Sequence, residues 1–378
     1  MESPFIISIV LILYTYIGYP LILAIIHKLK SASTITFQDD AIHEELTVVM
    51  AMYNAQERIS TRLANILQTK YPLEKLHIIV VSDGSTDDCY ELAKAFDYPR
   101  LTVLNQENNQ GKSQALNLAM QHVKTPLVAF ADVRQNFDEN TLNELASQFI
   151  HADIGAVTGN LMIEQNQELG ASNDPGLYWK YEKFIRLTEG LINSVVGVTG
   201  AIYMMRSSLF QPLPPSTILD DVFTPMSVVK QGKRVVMAND AYAFDYSSHS
   251  ITEEFNRKVR TLAGNYQLMK LLPWLNNPMA NPIFWQWFSH KVCRLFIPFA
   301  LLAVFISSLM LNGVFFQLCF IAQFIFYIFA GIGYLKMSKG QSAGILSLPA
   351  TFTILNIAAF IALFKYFLFS PKKLWKKH

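Results

Sequence analysis

The sequence predicts an α/β domain with a mostly parallel sheet, flanked by membrane-spanning helices at both ends. Only 16% of its 378 residues are charged and 51% are hydrophobic, whereas a typical globular chain is about 25% charged. The two ends of the chain contain few charged residues, which accounts for the low overall fraction. Between them, short apolar runs alternate with helical patterns of about ten residues, which indicates βαβ units.

The first element is an apolar stretch at residues 5–26, about long enough for a helix to cross a bilayer. Basic residues follow at 27–30, and Glu2 is the only charge before the stretch. The positive-inside rule therefore places the downstream side in the cytoplasm. A signal peptide fits poorly, because the chain has no basic n-region and no small-residue cleavage site. We expect residues 1–30 to form an uncleaved transmembrane anchor.

The α/β elements begin after a polar stretch at residues 31–43, which predicts a linker. The predicted strands are residues 46–52, 76–81, 101–104, 126–130, 154–162, 197–205 and 234–238. The predicted helices are residues 58–67, 89–96, 113–122 and 141–149. Parallel strands arranged in this way end at one edge of the sheet, where open α/β folds bind ligands.

From residue 284 the sequence becomes apolar and aromatic again. Phe284-Trp285-Gln286-Trp287-Phe288 is typical of a membrane interface, so we expect residues 280–294 to be an interfacial segment. Three apolar runs then fill residues 295–370, and a basic tail suited to anionic lipids occupies 371–378.

The number of C-terminal spans stays open between two and three. Three spans would place the basic tail outside, against the positive-inside rule. Pro349 and Asn356 in the last run fit a re-entrant or interfacial hairpin instead. Of the two readings, three spans is the one favoured here.

Acidic residues follow the predicted strands at several junctions. Asp83 and Asp132 each follow a buried strand, Asp220 and Asp221 follow a Pro-rich loop, and Lys112 stands at a predicted helix start. Each aspartate by itself fits a helix cap equally well. A helix N-terminus with a lysine is, however, an anion site. Carboxylates at strand ends can hold a cation against a diphosphate, and a further carboxylate can deprotonate an acceptor hydroxyl.

The order of these motifs resembles the family 2 inverting glycosyltransferases of the GT-A fold, which is Rossmann-like with a mostly parallel sheet. The motifs are Val49-Met50-Ala51-Met52-Tyr53-Asn54, Ser82-Asp83-Gly84-Ser85-Thr86-Asp87, Asn109-Gln110-Gly111-Lys112, Phe130-Ala131-Asp132 and Leu219-Asp220-Asp221. The chain is most similar to the membrane-anchored group that includes poly-N-acetylglucosamine, chitin-oligosaccharide, cellulose and hyaluronan synthases. The resemblance implies a glycosyltransferase domain over residues 44–272.

The resemblance also implies roles for individual residues. The residues expected to bind the nucleotide sugar are Ala51, Tyr53, Asn54, Asp83, Lys112, Asp132 and Arg260. Asp132 is the expected metal ligand, Asp221 is the expected catalytic base, and Asp220 precedes it. Gly197, Thr199 and Gly200 belong to the expected acceptor loop.

Three positions depart from the family pattern. Ala55 replaces the usual Glu, Arg134 replaces the second Asp of Asp-x-Asp, and Thr261 replaces the Trp of the processive motif. A guanidinium cannot ligate a cation, so the metal would have fewer protein ligands, and Arg134 is expected to contact phosphate directly. Elsewhere, the i, i+3 spacing of Arg186 and Glu189 predicts an exposed ion pair.

The implied activity is transfer of a sugar from a UDP-sugar to a glycan acceptor, with Mg²⁺ or Mn²⁺ as cofactor. The enzyme is expected in the inner or plasma membrane, in contact with membrane lipids, with its catalytic domain in the cytoplasm. The acceptor is either a growing polysaccharide or a lipid-linked acceptor that receives one sugar. A non-catalytic membrane receptor on the same fold is a further alternative. A net charge of +2 gives no general basis for binding nucleic acid.

Overall fold

The structure is a computed structural model that describes residues 1–30, 44–164, 177–246 and 251–368. Two compact units make up the chain, one within residues 26–247 and the other formed by residues 1–25 and 248–378. The predicted linker and the predicted basic tail at 371–378 lie outside the described residues.

The helices and strands of both units are numbered together in chain order. Between residues 44 and 246 helices and strands alternate, as expected. The helices are α1 (Glu2–Leu13), α2 (Tyr19–Lys30), α3 (Ile59–Leu67), α4 (Cys89–Lys94), α5 (Lys112–Met120), α6 (Thr141–Ser147), α7 (Leu177–Ile192), α8 (Asp220–Lys230), α9 (Ile251–Leu271), α10 (Phe284–Trp287), α11 (Cys293–Met310), α12 (Val314–Ser338) and α13 (Ser347–Leu368). The strands are β1 (Leu46–Met52), β2 (Leu76–Asp83), β3 (Leu101–Gln106), β4 (Leu127–Asp132), β5 (Asn136–Phe137), β6 (Ile154–Glu164), β7 (Ile202–Arg206) and β8 (Arg234–Tyr246).

The strands form one sheet in the order β3-β2-β1-β4-β7-β6-β8-β5. Strands β3, β2, β1 and β4 pair in parallel, whereas β7 is antiparallel to both β4 and β6. Almost every residue of β1 is buried, as expected for a central strand covered on both faces. The predicted α/β fold with a mostly parallel sheet is confirmed.

The predicted strand at residues 197–205 is wrong in its first half. Strand β7 begins only at Ile202, and residues 197–201 form a loop with a single bridge between Thr199 and Ile202. The backbone amide of Val198 donates to the carbonyl of Asp221 at 2.8 Å instead of joining the ladder. The apolar run was therefore a strand joined to a loop that packs on α8.

Four helices are long and apolar enough to cross a membrane, judged by length and composition alone over the described residues. They span Glu2–Leu29, Phe284–Met310, Val314–Ser338 and Gly344–Leu368. The segment expected at the interface provides the first turns of the second of these helices. The extent of the glycosyltransferase domain and the number of spans stay predictions.

The unit that contains the C-terminal helices has its own packing. The indole of Trp285 donates to the Tyr14 hydroxyl at 3.0 Å, and that hydroxyl lies 2.6 Å from the Ser289 hydroxyl. On α9, Val259 and Ala263 are buried in a cluster with Ala358 and Ala362 of α13. Helix α9, which the sequence placed at the end of the catalytic domain, thus packs on a C-terminal helix.

Candidate active site

The expected nucleotide-binding residues lie at one edge of the sheet, where β1, β2 and β4 end. In the parallel register, Ala51 of β1 stands beside Val81 of β2 and Asp132 of β4. Asp83 closes β2 two residues beyond Val81. The three strand ends therefore bring Ala51, Asp83 and Asp132 to the edge where open α/β sheets bind ligands.

Asp83 holds the loop that leads into α5. Its two carboxylate oxygens accept hydrogen bonds from the backbone amides of Gln110 and Gly111, at 2.7 and 2.9 Å. Burial raises the pKa of Asp83, and the two amides oppose that shift. Because Lys112 follows directly, Asp83 fixes the start of the lysine-bearing helix. Its expected contact with the donor stays a prediction.

Gly84 allows two loops to cross at this edge. A Cβ at Gly84 would lie 2.4 Å from the backbone nitrogen of Asn109 and 2.5 Å from the carbonyl carbon of Asn108. Its φ of +65° is also a conformation that other residues rarely adopt. The glycine is therefore required by the close approach of the loop that Asp83 anchors.

Asn54 joins the end of β1 to the turn after β2. Its backbone amide donates to the Ser85 hydroxyl at 3.2 Å, and its side-chain oxygen accepts from the Thr86 amide at 2.8 Å. Its φ of +48° is unusual for a residue other than glycine. The neighbouring Tyr53 is 45% exposed, so its ring is accessible to a ligand at this edge.

Lys112 connects the strand end of β4 with the start of α8. Its ammonium nitrogen lies 2.8 Å from Asp132 Oδ1 and 3.4 Å from Asp220 Oδ2. Burial by itself lowers the pKa of Lys112, but the two carboxylates raise it above the ordinary value of 10.5. The structure thus brings together three of the expected site residues, and the lysine stays charged.

Asp221 lies against the expected acceptor loop. The Asp221 carbonyl accepts from the Val198 amide at 2.8 Å. A Cβ added to Gly200 would lie 3.3 Å from the Asp221 Cβ, and 3.7 Å from Lys112 Nζ. A side chain at position 200 would therefore crowd the Asp221 side chain, and the glycine allows the loop to pack closely against the residue expected to act as base.

Arg62 supports Asp132 from inside the fold and was not found by sequence reasoning. The side chain is 1% exposed, its Nε donates to the Asp132 carbonyl at 3.2 Å, and the guanidinium lies over the Phe137 ring at 4.1 Å. Burial lowers the pKa of Arg62 to about 9, against the charge of Asp132. No sequence signal distinguishes this arginine from a solvated one on an amphipathic helix.

Arg134 has a bonding partner within the fold, and its expected contact with phosphate stays a prediction. Its guanidinium is bonded to the carboxylate of Asp245 on β8, to which the Gln135 amide also donates at 2.9 Å. Asp245 is 4% exposed, so this carboxylate is balanced by the arginine. The residue in place of the second Asp therefore pairs with a buried partner that lies far away in sequence.

The prediction of an exposed pair between Arg186 and Glu189 is wrong. Glu189 is 0% exposed. Arg186 donates to the Thr199 hydroxyl at 3.0 Å, the Thr158 hydroxyl at 3.3 Å and the Gly197 carbonyl at 3.4 Å. Helical spacing alone misleads here because this face of α7 packs on the acceptor loop.

Arg260 lies on α9, in the unit that contains the C-terminal helices. On the same helix Glu254 is bonded to Arg257 and lies 3.5 Å from Lys258 Nζ. The expected contact of Arg260 with a diphosphate stays a prediction.

The donor groups near Asp132 fit a divalent ion in one way. Within the described residues, no group of three or more His, Cys, Asp or Glu side chains could hold a metal. Mg²⁺ is commonly bound by one or two carboxylates together with substrate phosphates. Asp132 with a diphosphate meets that requirement, and Arg134 adds no ligand.

Family models match the chain across these motifs. One, described as glycosyl transferase family 2, matches residues 47–211. Another, described as glycosyl transferase family group 2, matches residues 132–335, more than half of the chain. The chain belongs to glycosyl transferase family 2. The order of the motifs predicted this family.

Curated relatives of this glycosyltransferase include polysaccharide synthases. Poly-beta-1,6-N-acetyl-D-glucosamine synthase of Staphylococcus aureus is 24% identical over 231 residues, which cover 60% of this chain and 56% of the synthase. Glycosyltransferase GlyG of Streptococcus pneumoniae is 33% identical over 119 residues, or 31% of this chain and 39% of that protein. The chain spans about half the length of the curated relatives it matches.

One solved structure has a similar fold over nearly the whole chain. It is the mannosyltransferase PcManGT from Pyrobaculum calidifontis in complex with GDP-Man and Mn²⁺. The TM-score is 0.72 at 18% identity, and the match covers 97% of this chain and 99% of that one. The likeness confirms the GT-A fold.

Proposed function

We propose that this enzyme transfers a sugar from a UDP-sugar to a hydroxyl of a glycan acceptor at the membrane, with inversion, in exopolysaccharide or cell-surface glycan synthesis. The observation that carries the proposal is Lys112, 2.8 Å from Asp132 and 3.4 Å from Asp220, with Asp221 next in the chain. The Lys112 ammonium, which can bind a diphosphate, thus lies near the carboxylate of Asp221, which can act as a base.

Asp221 is the proposed base. Its carboxylate takes the proton of the acceptor hydroxyl while that oxygen attacks the anomeric carbon. The attack comes from the face opposite the nucleoside diphosphate, whose bond to the sugar breaks as the new bond forms. An α-linked donor therefore gives a β-linked product. The close packing of Gly200 on Asp221, where an added Cβ would lie 3.3 Å from the Asp221 Cβ, supports an acceptor loop at this carboxylate.

Lys112 is the proposed counter-charge to the leaving diphosphate. A preorganised cation aimed at developing negative charge is an effective catalytic group in a dry site. The Asp132 carboxylate holds this ammonium at 2.8 Å, so the cation is in place before the donor arrives. Donor binding would then exchange part of that ion pair for phosphate oxygens.

Asp132 would also hold the proposed Mg²⁺ or Mn²⁺ together with the diphosphate. When bound, the ion supplies Lewis-acid stabilisation of the leaving group. The Mn²⁺ of the Pyrobaculum mannosyltransferase supports this class of cofactor. Arg134 in place of a second carboxylate predicts that metal binding is weaker than two carboxylates would give.

The donor and the acceptor are proposed from different observations. The motif resemblance favours uridine, whereas the Pyrobaculum enzyme holds GDP-Man. The staphylococcal synthase makes N-acetylglucosamine the first sugar to test and supports a polysaccharide product. Thr261, in place of a Trp, favours the second candidate, which is a single addition to a lipid-linked acceptor.

The test is nucleotide release by the full chain in lipid nanodiscs, mixed with a panel of UDP- and GDP-sugars and a membrane lipid extract. Asp221→Asn should lower transfer by about 10²–10⁴-fold, because general base catalysis contributes that much. It should leave nucleotide affinity unchanged, since the amide keeps the shape of the side chain. Asp240→Asn, at an exposed aspartate, is the matched control and should leave both unchanged.

Sizing of the labelled product separates the two acceptors. A ladder of lengths indicates polymerisation, and one added sugar indicates the single transfer. Near-normal turnover by Asp221→Asn would overturn the assignment of the base. Nucleotide binding without turnover of any donor would instead favour the non-catalytic receptor.

A further inference from the structure

We infer that Arg186 is a positioning residue that holds the acceptor loop against Asp221. The inference rests on the proposed function, since it takes Asp221 as the base and residues 197–200 as the floor of the acceptor site. Arg186 acts through this loop, which it contacts directly from α7.

The guanidinium of Arg186 joins two segments of the fold. Nη1 donates to the Thr199 hydroxyl at 3.0 Å, and Nη2 lies 3.3 Å from the Thr158 hydroxyl and 3.4 Å from the Gly197 carbonyl. A planar guanidinium presents its donors in a fixed fork, whereas a lysine ammonium is a single point charge on a flexible stem. The fork shape is therefore what the three acceptors require.

Thr158 is the second half of this clamp. It is 0% exposed on β6. Its hydroxyl accepts from the Thr199 backbone amide at 2.9 Å and lies 3.4 Å from the Ile202 carbonyl. One hydroxyl thus contacts Arg186 and both ends of the last turn before β7. Buried polar groups are nearly always paired, so removing the hydroxyl leaves the Thr199 amide without its acceptor.

The loop held by this clamp contacts the proposed base directly. The Val198 amide donates to the Asp221 carbonyl at 2.8 Å. A Cβ at Gly197 would lie 3.0 Å from Val222 Cγ2, and one at Gly200 would lie 3.3 Å from the Asp221 Cβ. With so little clearance, a shift of the loop changes the surface that an acceptor hydroxyl meets beside Asp221.

The charge of Arg186 also interacts with the proposed base, Asp221. Burial lowers the pKa of Arg186, while Glu182, Glu189 and Asp221 raise it. An arginine remains protonated in proteins. Arg186 and Asp221 are therefore close enough for their charges to interact.

The first test separates acceptor from donor kinetics. Arg186→Lys and Thr158→Val should each raise the acceptor KM and lower kcat by about tenfold or more, because small misplacements of reacting groups are costly. The nucleotide Kd, measured with UDP and with GDP, should change by less than twofold. Thr158→Ser keeps the hydroxyl and should restore most of the wild-type acceptor KM.

Arg234→Lys is the matched control, because Arg234 of β8 contacts the same helix, α7. Arg234 donates to the carbonyls of Gly190 and Asn193 at 2.9 Å each, and so anchors the C-terminal end of α7. It does not bond to the acceptor loop. This variant should lower stability without raising the acceptor KM, which separates general docking of α7 from the clamp.

A second readout does not depend on activity. Hydrogen–deuterium exchange of a peptide over residues 196–203 follows the Val198 and Thr199 amides. Exchange should be at least tenfold faster in Arg186→Lys and in Thr158→Val than in wild type. It should be unchanged in Arg234→Lys and nearly restored in Thr158→Ser.

The outcomes are distinguishable. If wild type transfers no sugar, the proposed function fails, and the exchange data still decide whether Arg186 holds the loop. If Arg186→Lys does not fold, the comparison of Thr158→Val with Thr158→Ser tests the inference instead. Unchanged acceptor KM and unchanged loop exchange in Thr158→Val, or the same changes in Arg234→Lys, would overturn the inference.

Discussion

Lys112 is the side chain that links the two halves of the site. It begins α5 directly after Gly111. The φ of Gly111 is +91°, which favours glycine, although a Cβ added there would meet no atom within 4 Å. Asp132 at the end of β4 and Asp220 at the start of α8 share the Lys112 ammonium at 2.8 and 3.4 Å. A lysine held in this way is preorganised to bind an anion. Because its pKa is raised, it stays protonated at high pH.

At this scale we predict that Lys112→Met weakens UDP and GDP binding by about tenfold to a hundredfold, as expected for loss of a charge-assisted hydrogen bond. Since the folded pKa is raised above 10.5, the ion pairs are complete below 10.5 and are lost only above it. Wild-type nucleotide affinity should therefore not fall between pH 7 and pH 9 through this group. Calorimetric titration at several pH values measures both effects.

Lys70→Met is the control for this prediction. Lys70 pairs with Glu139 at 2.5 Å, but both side chains are more than half exposed. Such pairs contribute little, and nucleotide affinity should be unchanged. An affinity of Lys112→Met equal to wild type would mean that the lysine neutralises Asp132 and Asp220 and nothing more.

Helix α3 illustrates how one element serves both the core and the site. Ile59, Leu63 and Ile66 are buried, as the helical spacing predicted. The intervening Asn65 bonds both backbone groups of Phe137, donating to the carbonyl at 3.0 Å and accepting from the amide at 2.8 Å. It also accepts from Arg62 at 2.5 Å. The polar side of α3 therefore fixes the chain just after Asp132.

At the element scale, Asn65→Ala should destabilise the protein by about 1–3 kcal/mol, because it leaves buried backbone and arginine groups without partners. Thermal unfolding in nanodiscs, followed by intrinsic fluorescence, measures the loss. Asn239→Ala, at an exposed asparagine, should stay within about 0.5 kcal/mol. Equal midpoints for the two variants would show that the bonds to Phe137 do not stabilise the fold.

At the scale of the whole molecule, the charges around the apolar helices predict a topology. His27 and Lys28 lie at the C-terminal end of the first candidate span, and Lys336 and Lys339 lie at the end of the third. Four spans place both sets on one side, as the positive-inside rule favours for these residues, whereas the basic sequence at 371–378 counts against this arrangement. The segment after the fourth span then lies on the opposite side.

We therefore expect a fluorescent reporter fused after residue 341 to be active in the cytoplasm. Alkaline phosphatase fused after residue 378 should be active on the other side, because three C-terminal helices cross. A re-entrant last helix, suggested by Pro349 and Asn356, would reverse the second result. Reporter activities normalised to protein level distinguish the two topologies.

Much of the fold could be predicted from the sequence, because its signals are local. The buried strand β2 and its acidic end, the helix after Gly111 and the apolar terminal helices each follow from periodicity and composition. Asp83, Lys112 and Asp132 could be placed at one sheet edge because parallel strands end together. The expected strand that began at residue 197 failed, since a loop packed on α8 has the same apolar composition as a strand.

Only the tertiary structure decided which partners the polar side chains take. Arg134 fitted a phosphate contact by position, yet its partner is Asp245, more than a hundred residues away. Arg186 fitted an exposed pair by spacing, yet it clamps Thr158 and Thr199. The periodicity of a helix shows which side chains lie opposite its apolar face. It does not show which other part of the chain packs against them. A buried cation acquires its role from groups that folding brings to it, and those groups are distant in the chain.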